Sequence, residues 1–153
     1  MSVELSAVNC TAPTVLATAT LVVATRGQSF TEITREAARF LTQAKANDGA
    51  LAAFIRHTSA SLVIQENADP TVQVDLVTAL NSLAPAHAAW HHDAEGPDDM
   101  PAHVKTMLTG VSLHVPVRGG ALALGTWQGI YVAEHRARPH RREIVFQFIG
   151  SRR

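Results

Sequence analysis

Two rhythms of apolar and polar positions alternate along this chain. Thr14–Thr25, TVLATATLVVAT, is rich in valine, threonine and leucine and predicts a long strand. Gln28–Phe30 then leads into a stretch where Ile33, Ala37, Phe40, Leu41 and Ala44 recur at helical spacing. That stripe predicts a helix over about Glu32–Ala46, with Thr31 as N-cap and Glu32 and Glu36 near its positive end. Asn47-Asp48-Gly49 would stop it, Gly49 supplying a left-handed closing residue. Leu51–His57 and Ser61–Gln65 read as short strands. Asp69-Pro70 opens a second helix, in which Val72, Leu76, Leu80 and Leu83 form a core-facing stripe that ends at Asn81–Pro85.

The polar stretch His92–His103, HDAEGPDDMPAH, breaks the periodicity and reads as a loop running into a short third helix, Pro101 to about Thr109. Asp99 is placed to cap that helix and Gly110 to close it. Ser112–Val117 and Ala121–Leu124 flank Arg118-Gly119-Gly120, a hairpin signal. Gly125–Gly129 passes into a strand at Ile130–His135. A last strand, Glu143–Gly150, sets Ile144, Phe146 and Phe148 on one face. About seven strands with two main helices and one short helix, without regular strand–helix alternation, predict an α+β fold: a two-layer, mostly antiparallel β-sandwich.

Composition narrows the class of protein. At 153 residues, 46% hydrophobic, with no linker or repeat, the chain reads as one domain over 1–153. Mean hydropathy is +0.06 and the pI about 7.1. The formal charge of +0 argues against nucleic-acid or membrane-surface partners and favours self-association. Arg136, Arg138, Arg141, Arg142, Arg152 and Arg153 gather near the end, a patch scaled to small anions. Cys10 is the lone cysteine, and the first residues carry no signal-peptide pattern, so a cytoplasmic setting is the expectation.

Three blocks could carry chemistry. In the polar stretch, His92 and His103 bracket Asp98 and Asp99, side-chain types that bind divalent ions; a plain solvated loop is the alternative. This is not the compact pair of histidines four apart on one helix, so a third ligand must come from elsewhere. The second block is His57-Thr58-Ser59-Ala60-Ser61 followed by Glu66-Asn67-Ala68-Asp69, where caps and strand hydroxyls are the structural reading. No Gly-x-Ser-x-Gly elbow surrounds either serine, which argues against a serine hydrolase. The third is Gly125-Thr126-Trp127-Gln128-Gly129 with Glu134, His135 and Arg136. There the glycines allow a close ligand approach, though Trp127 could be core and Glu134/Arg136 a surface pair.

Together these blocks resemble the YjbQ-like family, often labelled secondary thiamine-phosphate synthase. The resemblance rests on His57–Leu62, Glu66-Asn67 with Asp69-Pro70, His92 through Gly96-Pro97-Asp98-Asp99-Met100-Pro101-Ala102-His103, and Leu124–Ile130. It implies a two-sheet sandwich assembled as a homotrimer with clefts near subunit boundaries, and a divalent metal, zinc or magnesium, bound through histidines. Carried over, His92 and His103 are the metal ligands with His57 third. Glu66, Asn67, Asp69, Asp98, Asp99, Gln128, Glu134 and Arg136 would surround them.

The implied reaction joins a pyrimidine pyrophosphate to a thiazole phosphate. It asks for a cation at the departing pyrophosphate and for phosphate clamps. On this expectation Glu66, Asp69, Asp99, Glu134 and Arg136 are catalytic, with Asp98, Asp99 or Glu66 available to magnesium. Asn67, Trp127, Gln128 and Lys105 contact a small phosphorylated or anionic substrate, Lys105 and Arg136 clamping phosphate and Trp127 flanking a ring. A metal-dependent hydrolase with Glu66 as base, and a non-catalytic trimer binding metal or a small anion, are the alternatives.

Overall fold

The computed structural model describes residues 3–153. Its elements, in order, are β1 (Val15–Ala24), β2 (Ser29–Glu32), α1 (Thr34–Gln43), β3 (Ala46–Ile55), β4 (Ala60–Glu66), α2 (Pro70–Leu83), α3 (Asp99–Thr109), β5 (Ser112–Arg118), β6 (Ala121–Leu122), β7 (Gln128–Glu134) and β8 (Arg141–Arg152). They form two antiparallel sheets, β1-β8-β3-β5-β6 and β2-β7-β4. Alternate residues of both sheets enter one core. Leu51, Ile55, Ile144, Phe146 and Phe148 come from the larger sheet, Leu62, Ile130 and Val132 from the smaller, and Ala37, Phe40 and Leu41 from α1. Each fully buried Leu, Ile, Val or Phe contributes about 1.5–3 kcal/mol relative to exposure, so this period-two alternation is the main driving term.

The α+β sandwich is as the alternation predicts, with eight strands. The additional one, β2, lies where the periodicity predicts the entrance to α1. Thr31 and Glu32 pair with Val132 and Tyr131 instead of capping a helix. The helix starts at Thr34, because Ile33 N–H donates to the Ile130 carbonyl (2.8 Å) and the Thr34 hydroxyl accepts from Ile130 N–H (2.9 Å). These bonds to the neighbouring strand β7 keep the backbone through Ile33 in the sheet, so the helix begins only after it.

Asn47-Asp48-Gly49 does not stop the helix, which ends at Gln43; it lies inside β3 at a register shift against β8. Lys45, at φ +52°, takes the left-handed position expected of Gly49. Gly49 is instead a close-approach residue: a Cβ there would sit 2.2 Å from the Ile149 carbonyl oxygen. The Gly119-Gly120 hairpin forms as predicted, with φ +54° and +78°, the signs that a primed two-residue turn requires.

Helix α2 starts as predicted, with Asp69 accepting from Thr71 N–H (2.8 Å) and Pro70 at the first position. Its apolar stripe does not enter the core, however. None of its residues is buried, and Val74 and Leu83 are 64% and 67% exposed. Its main neighbours are the edge strand β2 and α3, so it lies along the rim of the smaller sheet. Helix α3 begins at Asp99, two residues before the expected start. Asp98 holds the cap position without capping through its side chain, and Gly110 closes the helix as predicted. That shift decides the geometry of the site.

Candidate metal centre

Starting α3 at Asp99 puts Asp99 and His103 four residues apart on one helical face. His92 reaches the same place from the irregular segment between α2 and α3. The Asp99 carboxylate is buried, while the His92 ring is about half exposed. One ligand atom from each of His92, Asp99 and His103 lies within 4.8 Å of the others, and among the described residues no other group of three or more His, Cys, Asp or Glu side chains does so. His92 Nε2 stands 2.9 Å and His103 Nε2 3.5 Å from Asp99 Oδ2, with ring centroids 5.6 Å apart.

His103 Nδ1 lies 2.9 Å from the Thr58 carbonyl oxygen. A carbonyl only accepts, so Nδ1 donates to it, and the other ring nitrogen, Nε2, is the one turned toward Asp99. Asp99 Oδ2 is buried and, among the described residues, receives no directed hydrogen bond; the short His92 contact lies off that direction. Two imidazole nitrogens and a buried carboxylate oxygen thus converge at the edge of solvent, an arrangement that a positive charge, a ring proton or a bound cation, would satisfy. A divalent cation fits this donor set, and the ring held by a carbonyl through its other nitrogen is the support that metal-ligating histidines use.

Arg136 binds the remaining side of this cluster. Its guanidinium pairs with Asp99 Oδ1, with Asp98 Oδ2 (3.2 Å) and with the Glu95 carbonyl oxygen (2.9 Å). Burial would lower its pKa, but the Asp98 hydrogen bond and the Asp98, Asp99 and Glu95 charges outweigh that and raise it. Burial likewise works against ionised Asp98, yet Ala137 N–H (2.7 Å) and Arg136 hold its carboxyl below the ordinary value. Arg136 is therefore a structural clamp, with a donor on each of its three nitrogens already held by Asp98, Asp99 or the Glu95 carbonyl.

Behind the centre lies a buried polar layer. Arg142 Nε and Nη2 donate to the two Glu134 oxygens at 2.7 and 2.6 Å, joined by Thr25 Oγ1 (2.9 Å) and Arg136 N–H (3.0 Å). Glu134 is fully satisfied and inaccessible to a substrate, so it stabilises the fold and is not the catalytic group expected. His57 follows β3, two residues past its end, and its Nδ1 accepts from Ser59 N–H (3.1 Å). That hydrogen bond puts the ring proton on Nε2 and uses up the lone pair, so Asp99 holds the place beside His92 and His103 that was expected of His57. Lys105 is buried, its ammonium donating to Asn81 Oδ1 (2.5 Å), so it is not a free phosphate clamp.

His135 is buried against Ser61 Oγ (2.7 Å), and burial pushes its pKa down to about 4. The unfolded chain binds that proton first, so the stabilising contribution is complete above pH 6.5 and is lost as pH falls toward 4. At about 1.4 kcal/mol per unit, the loss amounts to about 3 kcal/mol. Urea unfolding of the wild type and of His135→Gln should show a steeper decline between pH 6.5 and 4 in the wild type. Equal slopes would contradict the assignment.

The rest of the expected site lies elsewhere. In the β4–β7 ladder Ala60 pairs with Glu134 at one end and Glu66 with Gln128 at the other. Six residues at about 3.3 Å each separate the ends by about 20 Å. Glu66, Asn67, Asp69, Trp127 and Gln128 therefore stand far from His92, Asp99, His103 and Arg136 within one chain. Asn81, Thr109 and Arg142 take part in the polar layer without any spacing signal that marks them in the sequence, and Ser61 reads there as no more than a strand hydroxyl. The Asp99–His103 spacing of four becomes legible once the helix start is known.

Residues 19–151 match the family described as "UPF0047 protein YjbQ-like". A UPF0047 protein of Synechocystis is 44% identical over 132 residues, covering 86% of this chain and 90% of the relative. The UPF0047 protein YjbQ of Escherichia coli O157:H7 is 39% identical over 133 residues, covering 86% and 96%. A crystal structure of a conserved hypothetical protein from Thermus thermophilus superposes with TM-score 0.74 at 38% identity, over 83% of this chain and 97% of that one. With the family match spanning most of the chain and the fold shared by its solved relatives, this protein belongs to the YjbQ-like UPF0047 family.

Proposed function

We propose that this chain binds a divalent metal through His92 Nε2, Asp99 Oδ2 and His103 Nε2, and works there as a small Lewis-acid enzyme on an anionic substrate. The observation that supports this reading is the buried, undirected Asp99 Oδ2 facing His103 Nε2, in a ring that the Thr58 carbonyl orients through Nδ1. Two imidazoles and one carboxylate favour zinc over magnesium, which prefers oxygen donors. A bound ion would supply polarisation of a substrate oxygen. The chain's own residues hold and aim the ligands: Arg136 fixes Asp99, and the Thr58 carbonyl fixes His103. Exposed Arg138, on the loop that carries Arg136, and exposed Arg141, the first residue of β8, are the cations left to meet an anion.

Thiamine-phosphate synthase chemistry, the reaction expected from the sequence resemblance, would need phosphate clamps. Arg136 and Lys105 are already committed to Asp98, Asp99 and Asn81, so a metal-dependent hydrolase is the better supported assignment. We further propose a homotrimer, supported by the exposed Val74 and Leu83 on α2 and by Met107, 77% exposed on α3. Gel filtration followed by elemental analysis tests both points. The expected result is one zinc per 16.4 kDa chain in the trimer peak, undisturbed by excess magnesium. A monomer peak or zinc well below one per chain would refute the corresponding part.

A further inference from the structure

At the end of the β4–β7 ladder remote from the metal centre lies a cleft of about 390 Å³, lined by Ile64, Gln65, Glu66, Ala68, Trp127 and Gln128. Its volume is in the range of small-molecule sites. Trp127 is 65% exposed, an unusual setting for so large an apolar side chain. The indole sits on a braced segment. Gln128 Oε1 accepts from Gly125 N–H (2.8 Å), Gln128 N–H donates to the Gly125 carbonyl (3.0 Å), and Asn67 N–H donates to the Trp127 carbonyl (3.1 Å). The backbone that carries the exposed indole is thus fixed on both sides of Trp127 along the chain.

Glu66 is anchored in the same way. Its carbonyl oxygen accepts from Gln73 Nε2 (2.6 Å) and the Tyr131 hydroxyl (3.2 Å), while among the described residues nothing hydrogen-bonds or pairs with its carboxylate. No lysine or arginine lines the cleft. Nearby charge is negative as well: after burial, the Glu32 and Glu66 carboxylates are what push the Tyr131 phenol up. A phosphate entering here would meet a carboxylate and no counter-charge. A cation would meet an aromatic face and an unpaired acid, the two partners that organic cations use together.

We propose that this cleft binds a small organic cation, a ring or quaternary ammonium group stacked on Trp127 with its charge against Glu66. Within one chain the site is separate from the metal centre and shares no residue with it. Trp90, the other tryptophan, is held by its Nε1–H on the Pro85 carbonyl (3.0 Å), so Trp90→Phe leaves Trp127 as sole reporter in the full chain. Benzyltrimethylammonium is the probe, with benzyl alcohol and benzoate as neutral and anionic controls of similar size.

The expected result is saturable quenching of Trp127 by the ammonium probe, undiminished after chelator treatment. Affinity should fall at least tenfold in Glu66→Gln, and benzoate should not bind. Equal affinity for all three probes, or no effect of Glu66→Gln, would overturn the proposal. So would the absence of saturable binding. Trp127 emission already blue-shifted and shielded from acrylamide in the free protein would overturn it too, by showing that another copy covers the cleft.

Discussion

Replacing His103 with alanine should cost the protein its metal and leave its fold intact. The substitution removes one of three converging donors, and the two remaining ones, His92 on an irregular segment and buried Asp99, cannot close around an ion. The loss in zinc affinity should exceed the 10–100-fold typical of outer-shell changes, thus more than about a hundredfold. The apo fold should be indifferent, because alanine is favoured in a helix and the His103 ring is about one-third exposed. Zinc at about 100 times its Kd should stabilise the wild type by about 2.7 kcal/mol. For a chain of this size that is roughly 5–10 °C in Tm. The variant should show the same Tm as the wild type without zinc and no shift with it. A variant that keeps one zinc per chain would end the assignment.

Glu134→Ala should be the most destabilising single substitution in the polar layer. It leaves the Arg142 guanidinium buried with Ser59 Oγ at 3.3 Å as its remaining side-chain partner. Breaking one side of a buried pair costs about 3–5 kcal/mol, far more than the pair itself contributes relative to an apolar filling. A Tm fall of about 10 °C or more follows at this chain length. Burial alone would raise the Glu134 carboxyl, but Arg142, the Arg136 amide and Thr25 hold it below its ordinary value. Its contribution is therefore present above the usual carboxylate range and lost as pH falls through the lowered value. Differential scanning calorimetry at neutral pH checks the magnitude, and a fall of less than about 2 °C would show that the layer tolerates the vacancy.

Much of the fold was readable where the signals are local. The Asp69-Pro70 start, the Gly119-Gly120 hairpin, the Gly110 stop and the alternation of Ile144, Phe146 and Phe148 each depend on a few neighbouring residues. The failures share a different cause. Thr31 and Glu32 became strand because β7, about a hundred residues away, offered partners for their backbone groups. Gly49 was read as a left-handed residue when its value lies in the close approach of Gly150. The α2 stripe reads as core-facing, yet helical spacing says nothing about which surface will be opposite it.

For the site, sequence alone determined the chemical inventory: two histidines and a pair of aspartates in one polar stretch, a glycine-flanked tryptophan, and an α+β frame to carry them. Only the tertiary structure decided who meets whom. The helix start at Asp99 set that residue, expected both as a cap and as an oxygen ligand, on the face of His103, and the Ser59 amide withdrew His57 from the set. The β4–β7 register set Glu66 and Gln128 at one end of a ladder about 20 Å long and Glu134 at the other. Side-chain type is written residue by residue, whereas strand register and helix phase are settled by pairings between distant segments.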